Sequence, residues 1–305
     1  MVSDPAGLGL VVSFGRRAPA SSVSWRGGHK SVGWRIGISS ADRVVVAVTI
    51  DLTGRPRSFA RSLVQGYVVE PFLSVVAAEQ ERVLVPGAGV LGPGGLILVL
   101  GRSGAGKSTL MARLAATEHP VLGDDQILIE RSGDARAFPR RLRFYADVEQ
   151  TAPEAFDRMP GPVRRRLRLR RIVAALSGGY VRPSLAVDRS AIGSTWLPGP
   201  LSIDRIVLLE RGPHAGELRT ERATEQDAVA WAVRLLDEQR SRLEIERDAG
   251  WRVRLAAVIA SEQGILAEAF AGRSIERIVV PTDRPARLAV DALARHLGFD
   301  FAGVD

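Results

Sequence analysis

The chain has 305 residues, of which 46% are hydrophobic and 25% charged, so it is long enough for one large domain with appendages or for two domains. No apolar run approaches the roughly 18 residues that a membrane span needs, and no signal-peptide pattern is evident, so we expect a cytoplasmic protein without a membrane partner. The absence of cysteine excludes disulfides, thiolate metal sites and cysteine nucleophiles.

The net charge is +8, so nucleic acid has to be considered as a partner. Lysine occurs only at Lys30 and Lys107, and the other 40 of the 42 basic residues are arginine. Lysine is rare in this chain. The presence of Lys107 inside a glycine-rich motif therefore indicates a specific role for this residue.

The first 68 residues have a β-rich pattern of short apolar runs separated by Gly, Ser and Asp. The predicted strands are residues 23–25, 33–38 and 43–50, and residues 52–56 are a predicted turn. Helical spacing follows over residues 69–80. This part of the chain therefore predicts a small sheet that leads into a helix.

Strands and helices alternate in the middle of the chain. Residues 82–85 and 96–100 are predicted strands, with a glycine-rich turn region at 87–95 between them. A helix is expected over 108–117 and a strand over 127–130. Alternation of this kind is typical of an α/β core.

The last third predicts a strand at 205–209, a long helix over 224–247, a strand at 277–280 and a final helix over 287–297. Thr224 is the expected N-cap of the long helix, because Asp227 follows it by three residues. The chain thus divides into a β-rich N-terminal region (1–68), a core (69–225) and a mainly helical C-terminal region (226–305).

A P-loop motif, G-x-x-x-x-G-K-[ST], connects the strand at 96–100 to the helix that follows. Its residues are Gly101, Arg102, Ser103, Gly104, Ala105, Gly106, Lys107, Ser108 and Thr109. The glycines let backbone N–H groups surround phosphates, and the helix N-terminus adds partial positive charge. Lys107 would neutralise the β- and γ-phosphates, and the Ser108 hydroxyl would bind Mg²⁺. The motif predicts binding of a nucleoside triphosphate with Mg²⁺.

Two adjacent carboxylates, Asp124 and Asp125, precede the strand at 127–130. Asp124 lies seventeen residues after Lys107, the length of one helix and one short returning strand. This spacing can bring the pair to the sheet edge that carries the P-loop. Phosphoryl transfer needs one carboxylate near Mg²⁺, and a second can orient or deprotonate the attacking hydroxyl.

Residues 101–110 (GRSGAGKSTL) and 121–129 (VLGDDQILI) together resemble the HPr kinase/phosphorylase-like family. The resemblance implies a P-loop kinase core related to phosphoenolpyruvate carboxykinase, and ATP- and Mg²⁺-dependent phosphorylation of serine hydroxyls. It implies that Asp124 is the general base and that Asp125 assists Ser108 with the metal. The family's relatives include tailoring kinases for ribosomally made peptides. Residues 85–90 lack the histidine that the family carries before its P-loop, so we expect an acceptor other than HPr.

Arginines are concentrated in two clusters. The clusters are Arg140, Arg141 and Arg143, then Arg164, Arg165, Arg166, Arg168, Arg170 and Arg171. We expect one of them to reach the site. The alternation at 166–170 predicts an edge strand with a basic face, and the lack of interleaved aromatics argues against a nucleic-acid partner. Residues 176–179 (LSGG) match the signature of ABC-type ATPases but predict a loop, because Pro183 follows closely.

The leading prediction is a kinase that phosphorylates a hydroxyl, most simply a serine of a peptide or protein. Two alternatives stay open at this point. One is a P-loop kinase for a small alcohol such as free serine, and the other is an NTPase that regulates a partner. The resemblance also implies that the chain forms a homo-oligomer.

Overall fold

The chain has a mixed α/β fold, described here from a computed structural model. The structure describes residues 10–14, 23–29, 32–41, 45–53, 60, 63–139, 141–178, 184–193, 195–213, 216–241 and 248–301. They group into two compact units. The first contains the described residues up to Leu84 together with Ala232–Glu268, and the second contains those of Val85–Trp231 and those from Ala269 onward. No helix among the described residues is long and apolar enough to cross a membrane.

The strands and helices follow one another along both units. In chain order the strands are β1 (Leu10–Phe14), β2 (Val23–His29), β3 (Val32–Ala41), β4 (Val45–Thr53), β5 (Arg82–Val85), β6 (Gly87–Gly92), β7 (Gly95–Gly101), β8 (Val121–Gly123), β9 (Ile127–Glu130), β10 (Asp134–Ala137), β11 (Leu142–Phe144), β12 (Leu185–Val187), β13 (Leu201–Gly212), β14 (Arg219–Arg222) and β15 (Ser274–Pro281). The helices are α1 (Glu70–Glu79), α2 (Lys107–Ala116), α3 (Val148–Thr151), α4 (Pro153–Arg158), α5 (Gly161–Leu176), α6 (Glu225–Arg240), α7 (Ala249–Phe270) and α8 (Ala286–His296), with a π-helical turn at Gln65–Val69.

The first unit contains a four-stranded sheet in the order β1-β4-β3-β2, in which β1 is parallel to β4 and the other pairs are antiparallel. Three strands predicted for the N-terminal region are confirmed as β2, β3 and β4. Of the predicted turn at 52–56, Leu52 and Thr53 instead extend β4, and the rest lies outside the described residues. The apolar core of this unit includes an edge-on contact between Phe72 and Trp251, whose ring centroids lie 5.7 Å apart.

The second unit is built around a sheet whose central strands β15, β13 and β7 are parallel. Strand β6 runs antiparallel to β7 and β8 antiparallel to β6, so β8 points in the same direction as β7. Beyond these, β14 pairs with β15, and β10 pairs with the first residues of β13 and with β9. The carboxyl ends of β7 and β8 therefore lie at one edge of the sheet.

Strand β7 is almost entirely apolar and buried, as expected for a central strand that is covered on both faces. On one face Val99 joins a core that contains Leu110 of α2 and Val290 of α8. At the strand's end, a Cβ added to Gly101 would lie 2.5 Å from the carbonyl oxygen of Leu209 on β13. Only glycine fits this close approach, so the first glycine of the motif fixes where β7 ends beside β13.

The glycine-rich segment before β7 was predicted as a turn region at 87–95, and this prediction is confirmed only for the turn at 93–94. Gly87–Gly92 forms strand β6, which pairs with β7 from Gly87 to Gly92. A Cβ on Gly89 would meet Leu122 and Leu96 side-chain atoms at 3.2 Å, so the small residue permits close packing between strands. Gly89 therefore allows close packing between strands and does not mark a turn.

The predicted edge strand at 166–170 is also wrong, because this segment lies inside helix α5. Arginine and leucine alternate over only five residues. Over the whole helix the less exposed positions are Val163, Arg164, Leu167, Arg170 and Ala174, and their spacing is that of one helix face. The helical spacing over residues 161–176 therefore agrees with the observed structure, whereas the five-residue alternation does not.

The long helix near the C-terminus begins as predicted at its cap. The Thr224 hydroxyl accepts a hydrogen bond from the Asp227 backbone N–H at 3.1 Å, and the Asp227 carboxylate accepts one from the Thr224 N–H at 2.8 Å. This reciprocal pair is a capping box. The helix α6 ends at Arg240, and residues 242–247 of the predicted helix lie outside the described part of the chain.

Candidate functional site

The loop between β7 and α2 contains two glycines of the motif in a left-handed backbone conformation. Gly104 and Gly106 have φ angles of 86° and 110°, in the left-handed region that favours glycine. The Ala105 N–H donates to the Arg102 carbonyl at 3.2 Å, which closes the turn, and Gly106 is the N-cap of α2. Arg102, Ser103, Gly104 and Ser108 are exposed, whereas Ala105 is buried. The loop is therefore open to solvent at residues 102–104 and at Ser108, while Ala105 packs against the core.

Lys107 lies at the first position of α2 and is only 7% exposed. Its ammonium group donates hydrogen bonds to the carbonyl oxygens of Gly101 at 2.5 Å and Arg102 at 3.0 Å. Burial lowers the pKa of Lys107, and the negative charges of Asp124 and Asp125 oppose that shift. The lysine is therefore held inside its own loop, within electrostatic range of both aspartates.

Asp124 and Asp125 directly follow β8, as the motif spacing predicted. Asp124 is buried at 5% exposure and Asp125 is half-buried. The Asp125 carbonyl accepts a hydrogen bond from the Gly87 N–H at 3.3 Å, and Gly87 pairs with Leu100 near the end of β7. These contacts bring the Asp pair and the P-loop to the same edge of the sheet.

The backbone of Asp125 is strained. Its φ angle is 81°, a conformation that residues with a Cβ seldom adopt, although aspartate tolerates it better than most. Such conformations persist only where the surrounding structure holds them, and they concentrate at functional sites. The turn after β8 therefore holds Asp125 in a backbone conformation that costs the fold free energy.

Arg189 lies within electrostatic range of Asp124 and was not among the residues that the sequence singled out. It begins the 3-10 turn Arg189–Ala191 that follows β12, and its guanidinium donates to the Phe138 carbonyl at 2.8 Å. The guanidinium also lies 5.1 Å from the centre of the Trp196 ring. Burial lowers the pKa of Arg189, and the nearby negative charge of Asp124 raises it. The negative charge of Asp124 thus acts on two cations, Lys107 and Arg189.

The two arginine clusters contain several exposed members that pair with local carboxylates. Arg168 and Arg171 bind Glu149 at 2.7 and 3.5 Å, and Arg141 binds Asp188 at 2.9 Å. Arg189, whose guanidinium lies within electrostatic range of Asp124, is outside both clusters. No local motif distinguishes Arg189 from the many other arginines of the chain, and its position depends on how β11 pairs with β12.

The metal-binding capacity of the site is modest. Among the described residues, no group of three or more His, Asp and Glu side chains is placed to hold a metal ion. The exposed Ser108 hydroxyl and the Asp125 carboxylate are the predicted ligands. Mg²⁺ commonly takes one or two protein ligands and fills its remaining positions with water and phosphate oxygens. This donor set fits a magnesium ion that arrives with a nucleotide.

Helix α2 is held by a buried arginine, Arg113, in its last turn, at the end away from the loop. The Arg113 guanidinium donates to both oxygens of Glu154 on α4, at 3.0 and 2.8 Å, and to Asp291 on α8 at 2.6 Å. It also lies 4.0 Å from the centre of the Phe301 ring. Because the helix cannot shift without breaking these contacts, its N-terminus and Lys107 stay in position.

Comparison of the chain with protein-family models gives no match, and comparison with curated proteins gives none either. The resemblance to the HPr kinase/phosphorylase-like family therefore stays a prediction from residues 101–110 and 121–129.

Proposed function

We propose that this protein is an ATP- and Mg²⁺-dependent kinase that phosphorylates a hydroxyl group, most simply the serine of a peptide or protein. The observation that carries the proposal is the placement of Lys107, at the start of α2, within electrostatic range of Asp124 and Asp125. A lysine that can bind phosphates, within electrostatic range of a buried carboxylate, would supply both halves of a phosphoryl transfer site: charge neutralisation and a proton acceptor.

The nucleotide phosphates would lie against the backbone N–H groups of residues 101–109. The left-handed glycines Gly104 and Gly106 leave room there, since nothing lies within 4 Å of a Cβ added to Gly104. Lys107 would exchange its two loop carbonyls for phosphate oxygens. Ser108 and Asp125 would hold Mg²⁺, which supplies charge neutralisation on the phosphate oxygens.

Asp124 would act on the acceptor. Its buried carboxylate would accept the hydroxyl proton as the hydroxyl oxygen forms a bond to the γ-phosphorus and the bond from that phosphorus to the ADP oxygen breaks. Arg189 would stabilise the charge of the transferred group. It is suited to this role because Phe138 and Trp196 already hold its guanidinium in place before any substrate binds.

The test follows the γ-phosphate. The purified protein would receive Mg²⁺ and labelled ATP with a panel of acceptors: serine-containing peptides, free serine and cell extract. Mass spectrometry would identify the phosphorylated product. We expect a product with the wild-type protein and a loss of about a thousandfold or more in Asp124→Asn, because amide replacement removes the proton acceptor.

The matched control is Asp204→Asn, which removes one carboxylate at an exposed position of β13 and should leave the rate unchanged. A phosphorylated serine peptide supports the proposal in full, and phosphorylated free serine supports the kinase with a small acceptor. ATP consumption to inorganic phosphate at one rate with every acceptor, without a phosphorylated product, would contradict the kinase and favour a regulatory NTPase.

A further inference from the structure

Exposed apolar side chains are concentrated on helix α5. Leu169, Ile172, Val173 and Leu176 are 62%, 56%, 49% and 84% exposed, and they are four of the seven large hydrophobic side chains that are exposed among the described residues. Their spacing of i, i+3, i+4 and i+7 places them in one stripe along the helix. We call these four residues the α5 stripe. An exposed apolar stripe of this kind commonly marks a binding surface.

The other face of α5 already has its place in the fold. Leu167 is 1% exposed and belongs to the core of the second unit, with Val163 packed against the same core. Leu167 and Leu169 point to opposite sides of the helix, because two residues correspond to about 200° of rotation. The stripe therefore faces outward while the helix is held from behind.

The surroundings of the stripe are strongly basic. Helix α5 contains six arginines and no acidic residue. Arg168 and Arg171 bind Glu149, and Arg164 lies 4.0 Å from Asp157, whereas Arg165, Arg166 and Arg170 have no ion pair with any residue that the structure describes. Burial and the like charge of Arg166 both lower the pKa of Arg170. The helix surface carries positive charge that its own neighbours do not balance.

We propose that the α5 stripe and its arginines form a docking surface for an acidic amphipathic segment of a partner protein. Such a segment would place aliphatic side chains against the stripe and carboxylates against the arginines, as in the helix-in-groove mode of peptide recognition. The pairing is already seen locally: one carboxylate, that of Glu149, binds Arg168 and Arg171 together. Arginine suits this role because its planar fork binds carboxylates with two parallel hydrogen bonds.

A protein segment accounts for the surface better than other occupants. A symmetric contact with a second copy of this chain would place the arginines of one α5 against those of the other. Nucleic acid would use the arginines but leave the aliphatic stripe uncovered, and α5 has no aromatic side chain on which bases could stack. An anionic membrane is a separate outcome, and interfacial helices commonly carry aromatic anchors that α5 lacks. The proposal does not depend on the kinase reaction.

The binding test uses the full-length protein and fluorescein-labelled synthetic peptides. The probe is a 16-residue helical peptide with leucine at i, i+3, i+4 and i+7 and glutamate at most other positions. Two control peptides keep the length, one with the leucines moved off a single face and one with lysine in place of glutamate. We expect fluorescence anisotropy to show binding of the probe only, with affinity falling as salt rises.

Two paired variants connect the binding to α5. Leu169→Ser with Leu176→Ser, and separately Arg165→Gln with Arg166→Gln, should each weaken binding by about tenfold or more. The matched control is Val253→Ser, which changes an exposed apolar side chain of α7 that is 74% exposed. All these positions are solvent-facing, so circular dichroism should report unchanged folding.

Each other outcome overturns the proposal. Equal binding by wild-type protein and both paired variants would place the peptide elsewhere. No binding of the probe, with binding to phosphatidylglycerol vesicles that the paired variants lose, would make α5 a membrane-binding helix. Concentration-dependent self-association that the Leu169→Ser and Leu176→Ser pair abolishes would make the stripe an interface between copies.

Discussion

The proposed mechanism predicts a specific kinetic effect of replacing Arg189. Arg189→Lys keeps the positive charge but removes the planar fork that binds the Phe138 carbonyl and lies against Trp196. We expect kcat for phosphoryl transfer to fall by about 10- to 100-fold, while the KM for ATP changes by about threefold at most, because the interaction belongs to the transition state.

The control for this variant is Arg141→Lys, since Arg141 is exposed and pairs with Asp188, the residue before Arg189. Steady-state kinetics at saturating acceptor would separate the two parameters. A rise in the KM for ATP with unchanged kcat would contradict the mechanism and make Arg189 a residue that only binds the nucleotide.

Lys107 predicts the alkaline limb of the pH profile. Only its protonated form neutralises phosphate, and burial lowers its pKa below the usual 10.5. As pH rises, a lowered pKa means that the proton is lost earlier than from an ordinary lysine. We therefore expect kcat/KM for ATP, which reports the free enzyme, to decline with a midpoint below pH 10.5. A flat profile up to that pH would show that Lys107 keeps its proton in the free enzyme.

The local parts of the site could be predicted at the residue scale because their geometry follows from adjacent residues. Residues 96–117 predict a strand, a glycine-rich loop and a helix, and the structure contains β7, two left-handed glycines and α2 in this order. The turn at Asp124 and Asp125 follows from the short returning strand. Arg189 could not be predicted, because nothing near it in sequence specifies the pairing of β11 with β12 that places it.

At the scale of elements, the orientation of α2 depends on Arg113. Arg113→Ala would leave Glu154 and Asp291 without their buried cation, so we expect a loss of about 3–5 kcal/mol in the free energy of unfolding. Urea unfolding followed by circular dichroism measures this change. The matched control is Arg136→Ala, which breaks an exposed pair with Glu130 and should cost less than about 1 kcal/mol. Similar losses in both variants would show that the buried pair does not anchor the helix.

Element types were predicted correctly for most strands and helices, including the four-residue strands β5 and β9. Strand β7 and helix α2 have continuous patterns, and Thr224 marks the start of α6 with a capping box that the structure contains. Helix α5 was predicted as an edge strand because five alternating residues, 166–170, match a strand when taken alone. Strand β6 was predicted as a turn because glycine signals both turns and close packing.

At the scale of the whole molecule, the sequence predicted an α/β fold but not the order of its strands. Strand β13 lies about a hundred residues after β7, and β15 lies further still along the chain. At the centre of the sheet β13 nevertheless pairs in parallel with β7, and β15 pairs in parallel with β13. Register of this kind is fixed by packing between distant segments rather than by any local pattern. The Leu209 carbonyl beside Gly101 is one such long-range contact.

Net charge also acts at this scale. The chain carries +8, and α5 contributes six arginines to it without an acidic residue of its own. Positive charge concentrated beside an apolar stripe selects acidic amphipathic partners, whereas charge spread evenly would attract any polyanion. The proposed docking surface would therefore select a partner with an acidic amphipathic segment, whereas the proposed phosphoryl transfer site would require a hydroxyl group.

The most direct test of the central claim, that the loop after β7 holds a nucleotide, is calorimetric titration of the protein with ATP in the presence and absence of Mg²⁺. We expect Mg²⁺-dependent binding by the wild-type protein and a loss of about a hundredfold or more in Lys107→Ala, because a buried cation that contacts phosphates is removed. Arg222→Ala removes one exposed positive charge of β14 and should bind as the wild type does. Absence of ATP binding, or equal binding by wild type and Lys107→Ala, would contradict the account.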